Sequence, residues 1–169
     1  MPRPIRTKII GLTLRFAEEY DVPVILEFIK ELADYEKLSH EVVATEEKLK
    51  KSLFGENSFA EVIIAEYLTK PVGFCLFFHN YSTFLGRPGI YIEDIYIKLE
   101  HRGLGFGKSI LAYLAKLAVE RDCGRIEWSV LDWNINALNF YNDLGAEPMN
   151  EWTVFRISGD TISQLSMEF

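Results

Sequence analysis

Two adjacent carboxylates and the glycine-rich turn that follows them are the groups of this chain best suited to chemistry. Glu93 and Asp94 interrupt an otherwise apolar segment, where a buried carboxylate can accept a proton. The chain then reads Arg102-Gly-Leu-Gly-Phe-Gly-Lys108 and enters an amphipathic helix. Such a turn leaves backbone N–H groups unpaired at the positive end of a helix dipole, which favours a phosphate or pyrophosphate. The pattern predicts a phosphate-bearing cofactor presented to acid–base chemistry.

The glycine spacing narrows the type of phosphate motif. A P-loop requires its first glycine where Arg102 stands. A dinucleotide fingerprint requires its third glycine at Lys108 or Ile110, depending on the starting glycine. The pattern that does fit is R-x-x-G-x-G. An ordinary tight turn at the start of a helix remains an alternative interpretation of these residues.

A second group of candidate residues lies in the segment Leu131-Asp-Trp-Asn134 and the helix after it. Asn134 is predicted to cap this helix, and Tyr141, seven residues on, shares its face. A tyrosine hydroxyl has a proton to donate. Simpler roles stay open: Asn134 as a cap alone, Tyr141 as an amphipathic core residue, and Glu93 as a structural acid paired with an arginine or hydroxyl.

The face on which Asp94 lies depends on the regularity of its strand. In a regular strand successive side chains alternate, so Asp94 points away from the face of Glu93. A bulge at this point would change that parity.

Alternation, helical periodicity and caps predict the elements that position these residues. The first helix follows Asp21 and carries a stripe from Ile25 to Leu32, and the second follows Thr45 and ends before Gly55. Two further helices cover 110–118 and the segment between Asn134 and Gly145. The predicted strands cover 14–17, 61–67, 72–79, 90–97, 125–131 and 152–157, with a hairpin turn around Lys70-Pro71. This order predicts an α/β domain, a mixed sheet flanked by helices, over residues 1–169 with 1–12 as a short N-terminal extension.

Composition limits the function classes. The 169 residues, 49% of them hydrophobic, suit one packed globule, and the net charge of −7 disfavours nucleic-acid binding while favouring cationic substrates. Two distant cysteines and three scattered histidines predict no metal site. The longest apolar runs are far shorter than a membrane span. We therefore expect a soluble, cytoplasmic protein with free thiols.

The two motifs together resemble the GNAT superfamily of acetyltransferases: the R-x-x-G-x-G turn, and the pattern N-x-x-A-x-x-F-Y-x-x-x-G over 134–145. Further segments are similar to the spermidine/spermine N1-acetyltransferase branch, and especially to its thialysine-acetylating relatives. These segments are Glu31-Leu-Ala-Asp-Tyr-Glu-Lys-Leu, Thr45-Glu-Glu-Lys-Leu, Phe54-Gly, Tyr91-Ile-Glu-Asp-Ile-Tyr and Val130-Leu-Asp-Trp-Asn. The resemblance implies the GNAT fold, with a mostly antiparallel central sheet, and acetyl-CoA as cofactor.

The resemblance also implies roles for individual residues. Tyr141 matches the general acid near the cofactor sulfur, and Glu93 matches the substrate-side glutamate. The implied cofactor contacts are the strand backbone at Ile95, Tyr96 and Ile97, the turn residues Arg102, Gly103, Leu104, Gly105, Phe106, Gly107 and Lys108, and then Asn134, Asn136 and Ala137. Tyr35, Glu36 and Glu151 match amine-binding positions. The family's C-terminal strand implies a homodimer, with Trp152–Ile157 as the matching segment.

The sequence therefore predicts an acetyl-CoA-dependent N-acetyltransferase acting on a primary amine of a polyamine, a diamine or a lysine analogue such as thialysine. The amine would attack directly in a ternary complex, because no motif places a cysteine to carry the acetyl group. Two alternatives remain: an N-acetyltransferase acting on proteins or peptides, and a non-catalytic acyl-CoA-binding module.

Overall fold

The structure is a computed structural model that describes residues 3–169. The chain divides into two compact units, the first ending at Ser129 and the second spanning Val130–Phe169. Each unit is described by itself.

A single twisted sheet organises the first unit. Within the described residues it has six strands, each hydrogen-bonded to the next in chain order: β1 (Ile5–Arg6), β2 (Leu12–Phe16), β3 (Glu61–Tyr67), β4 (Lys70–Ser82), β5 (Arg87–Ile97) and β6 (Ile126–Trp128). Every neighbouring pair is antiparallel except β5 and β6, which are parallel. The predicted mixed, mostly antiparallel sheet is confirmed. β1 lies inside the segment predicted as an extension.

The hairpin between β3 and β4 turns two residues earlier than predicted. Leu68 and Thr69 form the turn with φ of 49° and 70°, and β4 already starts at Lys70. A two-residue turn with positive φ at both positions matches the twist of the flanking strands. Pro71 is tolerated inside β4 because the register shifts opposite it, between Ala65 and Glu66.

Three helices accompany the sheet of the first unit: α1 (Val22–Tyr35), α2 (Glu46–Phe54) and α3 (Phe106–Glu120). The predicted cap of α2 is confirmed, since the Lys48 N–H donates to the Thr45 hydroxyl at 3.2 Å. Asp21 precedes α1 as predicted, but its carboxylate makes no cap hydrogen bond. It accepts instead from the Arg15 guanidinium at 2.6 and 2.8 Å, because a buried arginine offers a stronger donor than the helix end does.

Apolar side chains hold α1 and α2 against one face of the sheet. Val22 and Ile25 of α1 share a buried cluster with Phe74 of β4 and Tyr96 of β5. The rings of Phe28 and Phe74 stack with centroids 5.6 Å apart. Because side chains of a strand alternate between faces, the even-numbered positions of β4 next to Phe74 lie on the same side of the sheet as α1, which we call the α1 face.

The second unit contains two helices among its described residues, α4 (Ile135–Asp143) and α5 (Asp160–Ser166). Asn134 caps α4 as predicted, with its Oδ1 accepting from the Ala137 N–H at 3.3 Å, and Gly145 has the predicted left-handed φ of 82°. The prediction of a strand over Trp152–Ile157 is wrong for this single chain. That segment is irregular with exposed side chains, and within the described residues it joins no strand of the sheet.

Candidate active site

A β-bulge in β5 decides the orientation of the two candidate carboxylates. Ile92 of β5 lies opposite Phe77 of the antiparallel strand β4, and Asp94 lies opposite Leu76, the adjacent residue of β4. Two steps along β5 therefore match one step along β4, and Glu93 is the extra residue. Opposite residues of an antiparallel pair lie on the same face. Leu76 packs beside the cluster under α1, so Asp94 also lies on the α1 face and Ile92 on the other. Bulges commonly re-aim side chains next to active sites.

The bulge concentrates negative charge at one point of the α1 face. Asp94 is half-buried whereas Glu93 is exposed, so the expectation that the apolar strand buries Glu93 is wrong. Burial, and then the charges of Glu93 and Glu36, raise the pKa of Asp94 to about 6. Burial also raises the pKa of Glu36, the residue at the C-terminal end of α1. Three of the site carboxylates are therefore close enough for their charges to interact, which favours a cationic ligand or a bound proton.

Beyond the bulge, β5 keeps an open backbone edge. Its parallel pairing with β6 covers Ile90, Tyr91 and Ile92, and in the described part of the chain β6 pairs with no later residue of β5. The predicted cofactor-contact positions Ile95, Tyr96 and Ile97 lie within this open stretch. The carbonyl oxygen of Ile97 is already engaged, because it accepts a hydrogen bond from Nε of Arg102 at 2.9 Å.

The glycine-rich turn forms the N–H cradle that its sequence predicts. Gly103 and Gly105 have φ of 76° and 82°, which L side chains rarely adopt. Among the described residues, none of the backbone N–H groups from Gly103 to Lys108 donates to a backbone acceptor outside α3. A Cβ at Gly103 or Gly107 would meet no atom within 4 Å, so space is open in front of these groups. Unpaired N–H groups at the start of α3 suit a pyrophosphate.

The Arg102 side chain turns from this cradle towards α1. Its guanidinium lies over the ring of Tyr35, 4.1 Å from the centroid, and 5.5 Å from that of the Tyr96 ring. Within residues 3–169 it forms no ion pair with a carboxylate. The structure thus brings the predicted amine-side residue Tyr35 into contact with Arg102, the residue that precedes the cradle.

Sequence analysis missed a second link between α1 and β5. Lys98 Nζ donates to Oε1 of both Glu27 and Glu31, each at 2.9 Å. The only sequence signal is the four-residue spacing of the two glutamates on one helix face. The other oxygen of Glu31 is buried without a hydrogen-bond partner in the described chain. This cluster fixes the C-terminal half of α1 over the strand that carries the bulge.

The second unit carries the remaining candidates. Asn134, Asn136 and Ala137 lie in the cap and first turn of α4, and Tyr141 is half-buried in its last turn beside Phe140, with ring centroids 5.4 Å apart. Glu151 is exposed in a turn before α5. The assignment of Tyr141 to the same site as Glu93 stays a prediction.

The structure also bears on the two cysteines, on metal binding and on membrane insertion. Burial raises the pKa of both Cys75 and Cys123, and neither forms a disulfide. No cluster of histidine, cysteine, aspartate and glutamate able to hold a metal occurs in residues 3–169. Over the same residues, every helix is too short or too polar to cross a bilayer.

Fold and sequence together define the class of this protein. The sequence profile of the Acetyltransferase (GNAT) family matches residues 26–146, and the chain belongs to that family of N-acetyltransferases. A thialysine N-epsilon-acetyltransferase of Sus scrofa is 42% identical over 167 residues, covering 92% of this chain and 98% of its own length. An L-ornithine N5-acetyltransferase of Arabidopsis thaliana is 34% identical over 197 residues, covering 90% and 86%. An integron cassette protein from the mobile metagenome of V. cholerae has a similar fold, with a TM-score of 0.79 at 23% identity over 94% of this chain and 99% of its own. The resemblance to the thialysine branch is confirmed.

Proposed function

We propose that this protein transfers the acetyl group of acetyl-CoA to a primary amine of a small cationic molecule, either a lysine analogue such as thialysine or a diamine or polyamine. One observation carries the proposal: the strand that presents Glu93 and Asp94 at a bulge leads, through one short 3-10 turn at Leu99–His101, into the N–H cradle of Gly103–Lys108. A carboxylate cluster for an ammonium and an anion site for a pyrophosphate therefore lie close together along the chain.

The residues present fit acetyl-CoA. The cradle from Gly103 to Lys108, with Arg102 before it, would hold the pyrophosphate, and the open edge at Ile95–Ile97 would pair with the amide groups of the pantetheine arm. Asn134, Asn136 and Ala137 would supply further contacts from the start of α4. When bound, acetyl-CoA supplies an activated acetyl thioester.

The chain's own residues would manage the protons of the transfer. An alkylammonium with a pKa near 10.4 must lose a proton before it attacks, which costs roughly 4–5 kcal/mol at pH 7. Glu93 would accept this proton directly or through water. Tyr141 would donate its phenolic proton to the departing sulfur. Backbone N–H groups would stabilise the negative charge that develops on the acetyl oxygen.

Direct transfer without an acetylated enzyme is supported by the state of the cysteines. A thiol becomes a nucleophile as its thiolate, and burial raises the pKa of both thiols and so disfavours that form. The two reactants would therefore meet in a ternary complex. The unpaired thiols also fit a reducing compartment, and we assign the protein to the cytoplasm.

The charge of the site supports a small cationic amine as substrate. Glu36, Glu93 and Asp94 interact electrostatically. Tyr35 and Glu36 would contact the distal part of the amine, with Glu151 as a further acidic contact. The named activities of the relatives, on thialysine and on L-ornithine, support an amino acid with a terminal amine.

The C-terminal segment supports a homodimer. Within the second unit, Trp152, Val154 and Phe155 are 70%, 84% and 92% exposed. Leaving several large apolar side chains of one segment in water is unfavourable, and such exposed patches often mark interaction surfaces. Pairing of Trp152–Ile157 with a second copy would bury them and give the segment a strand partner.

A thiol-release assay with acetyl-CoA tests the function. The amines are thialysine, L-ornithine, lysine, putrescine, spermidine and a lysine-containing peptide. Release with one or more free amines is expected. Release with the peptide alone would instead assign the protein to protein acetylation. Binding of acetyl-CoA without release on any amine would leave a binding module.

A further inference from the structure

We infer that Arg102 is a positioning residue that couples the two ligands of the proposed reaction, by tying the pyrophosphate cradle to the amine-side end of α1 through its stack on Tyr35. The inference rests on the proposed function and deepens it. It assigns a role to the guanidinium itself, separate from the backbone N–H groups of the cradle.

The first step of the argument is what holds the guanidinium. Nε donates to the Ile97 carbonyl at 2.9 Å, and the guanidinium carbon lies 4.1 Å from the Tyr35 ring centroid and 5.5 Å from that of Tyr96. A guanidinium over an aromatic face is attracted by the negative charge of the ring face. No carboxylate of the described chain competes for this cation, so the rings and the carbonyl determine its position.

The second step is which elements these contacts join. Tyr35 is the last residue of α1, and its neighbour Glu36 is one of the charges that Asp94 experiences. Tyr96 is buried in the strand that carries the bulge. Gly103, the next residue after Arg102, begins the cradle. One exposed side chain therefore connects the end of α1, the β5 backbone and the anion site.

The third step is energetic. A pyrophosphate that binds the cradle in the conformation seen here, with Gly103 and Gly105 at positive φ and Arg102 stacked on Tyr35, favours this arrangement over arrangements in which the stack is broken. An ordered Arg102 holds Tyr35 and hence the end of α1. The amine then meets a site that is already arranged, so each ligand raises the affinity for the other by the same factor. For stacking at an exposed site we expect this factor to be about 3- to 5-fold.

The test measures that factor by calorimetry. CoA is titrated into the protein alone and into the protein saturated with the most active amine of the panel above, and the ratio of the two Kd values is the coupling factor. Wild type should give about 3 to 5. Arg102→Gln and Tyr35→Leu should each reduce the factor to about 1, and their combination should reduce it no further, because both remove one interaction. Tyr35→Phe keeps the ring and should keep the factor, and Arg102→Lys should keep part of it.

Several outcomes would overturn the inference. A factor of 1 in a wild-type protein that binds CoA and turns over would do so and leave the proposed function intact. Weaker CoA binding in Arg102→Gln with an unchanged factor would show that the guanidinium acts on the phosphates alone. A lowered Tm of Arg102→Gln with an unchanged coupling factor would show that Arg102 has a structural role alone. Arg87→Gln removes an exposed arginine at another place on the first unit, so it controls for the change in net charge. If wild type neither binds CoA nor turns over, both proposals fail together.

Discussion

Replacing Asp94 by asparagine should stabilise the protein at neutral pH. The structure raises the pKa of Asp94 from 3.8 to about 6, chiefly by burial and then by the charges of Glu93 and Glu36. An acid with a raised folded-state pKa reduces stability when it is ionised, so its cost is present above pH 6 and disappears below the unfolded pKa. At about 1.4 kcal/mol per pKa unit, ionised Asp94 costs about 3 kcal/mol at pH 7. An amide of similar shape carries no charge and avoids this cost.

Urea unfolding of wild type and Asp94→Asn at two pH values measures this cost. The free energy of unfolding of the variant should exceed that of wild type by about 2–3 kcal/mol at pH 7, and by only about 0.5 kcal/mol at pH 4, where folded Asp94 is protonated. Glu56→Gln, a matched change at an exposed position, should leave the stability within about 0.5 kcal/mol at both pH values. This electrostatic reasoning would be refuted if the difference in the free energy of unfolding between Asp94→Asn and wild type were the same at both pH values. It would also be refuted if the variant were less stable than wild type.

Four further changes test the proposed roles. Tyr141→Phe removes the proton donor and should lower kcat about 100-fold or more with little change in the Kd of CoA; unaltered kcat would remove Tyr141 as the acid. Glu93→Gln should flatten the rise of kcat/KM with pH, whereas a profile identical to wild type would exclude Glu93 as the base. Asp21→Ala leaves the buried Arg15 guanidinium with one fewer charged partner, so the free energy of unfolding should fall by about 3–5 kcal/mol in urea titrations, and a loss below 1 kcal/mol would contradict this. If the proposed homodimer uses Trp152–Ile157, light scattering after size exclusion should give a dimer for wild type and a monomer for Phe155→Asp; a dimeric variant would place the interface elsewhere.

Local patterns in the sequence determined several elements of both units. The alternation of 61–67, the caps at Thr45 and Asn134, and the left-handed glycine at 145 depend on contacts within a few residues, and the structure retains each of them. The N–H cradle is equally local, because its glycine spacing and the helix after it suffice to leave N–H groups unpaired. The family could be identified from these same motifs.

Contacts between distant parts of the chain decided the rest. The bulge at Glu93 is a property of the pairing between β5 and β4, so the residues of β5 alone do not specify it. Without the bulge Asp94 would lie on the same face as Ile92, and with it Asp94 lies on the opposite face. The stack of Arg102 on Tyr35 joins residues 67 positions apart in numbering, and the Lys98 cluster joins β5 to α1 over a similar span. Trp152–Ile157 has the composition of a strand but pairs with no strand within residues 3–169. Sequence specifies what each segment prefers by itself, whereas pairing, burial and charge interaction depend on the neighbours that the tertiary structure supplies.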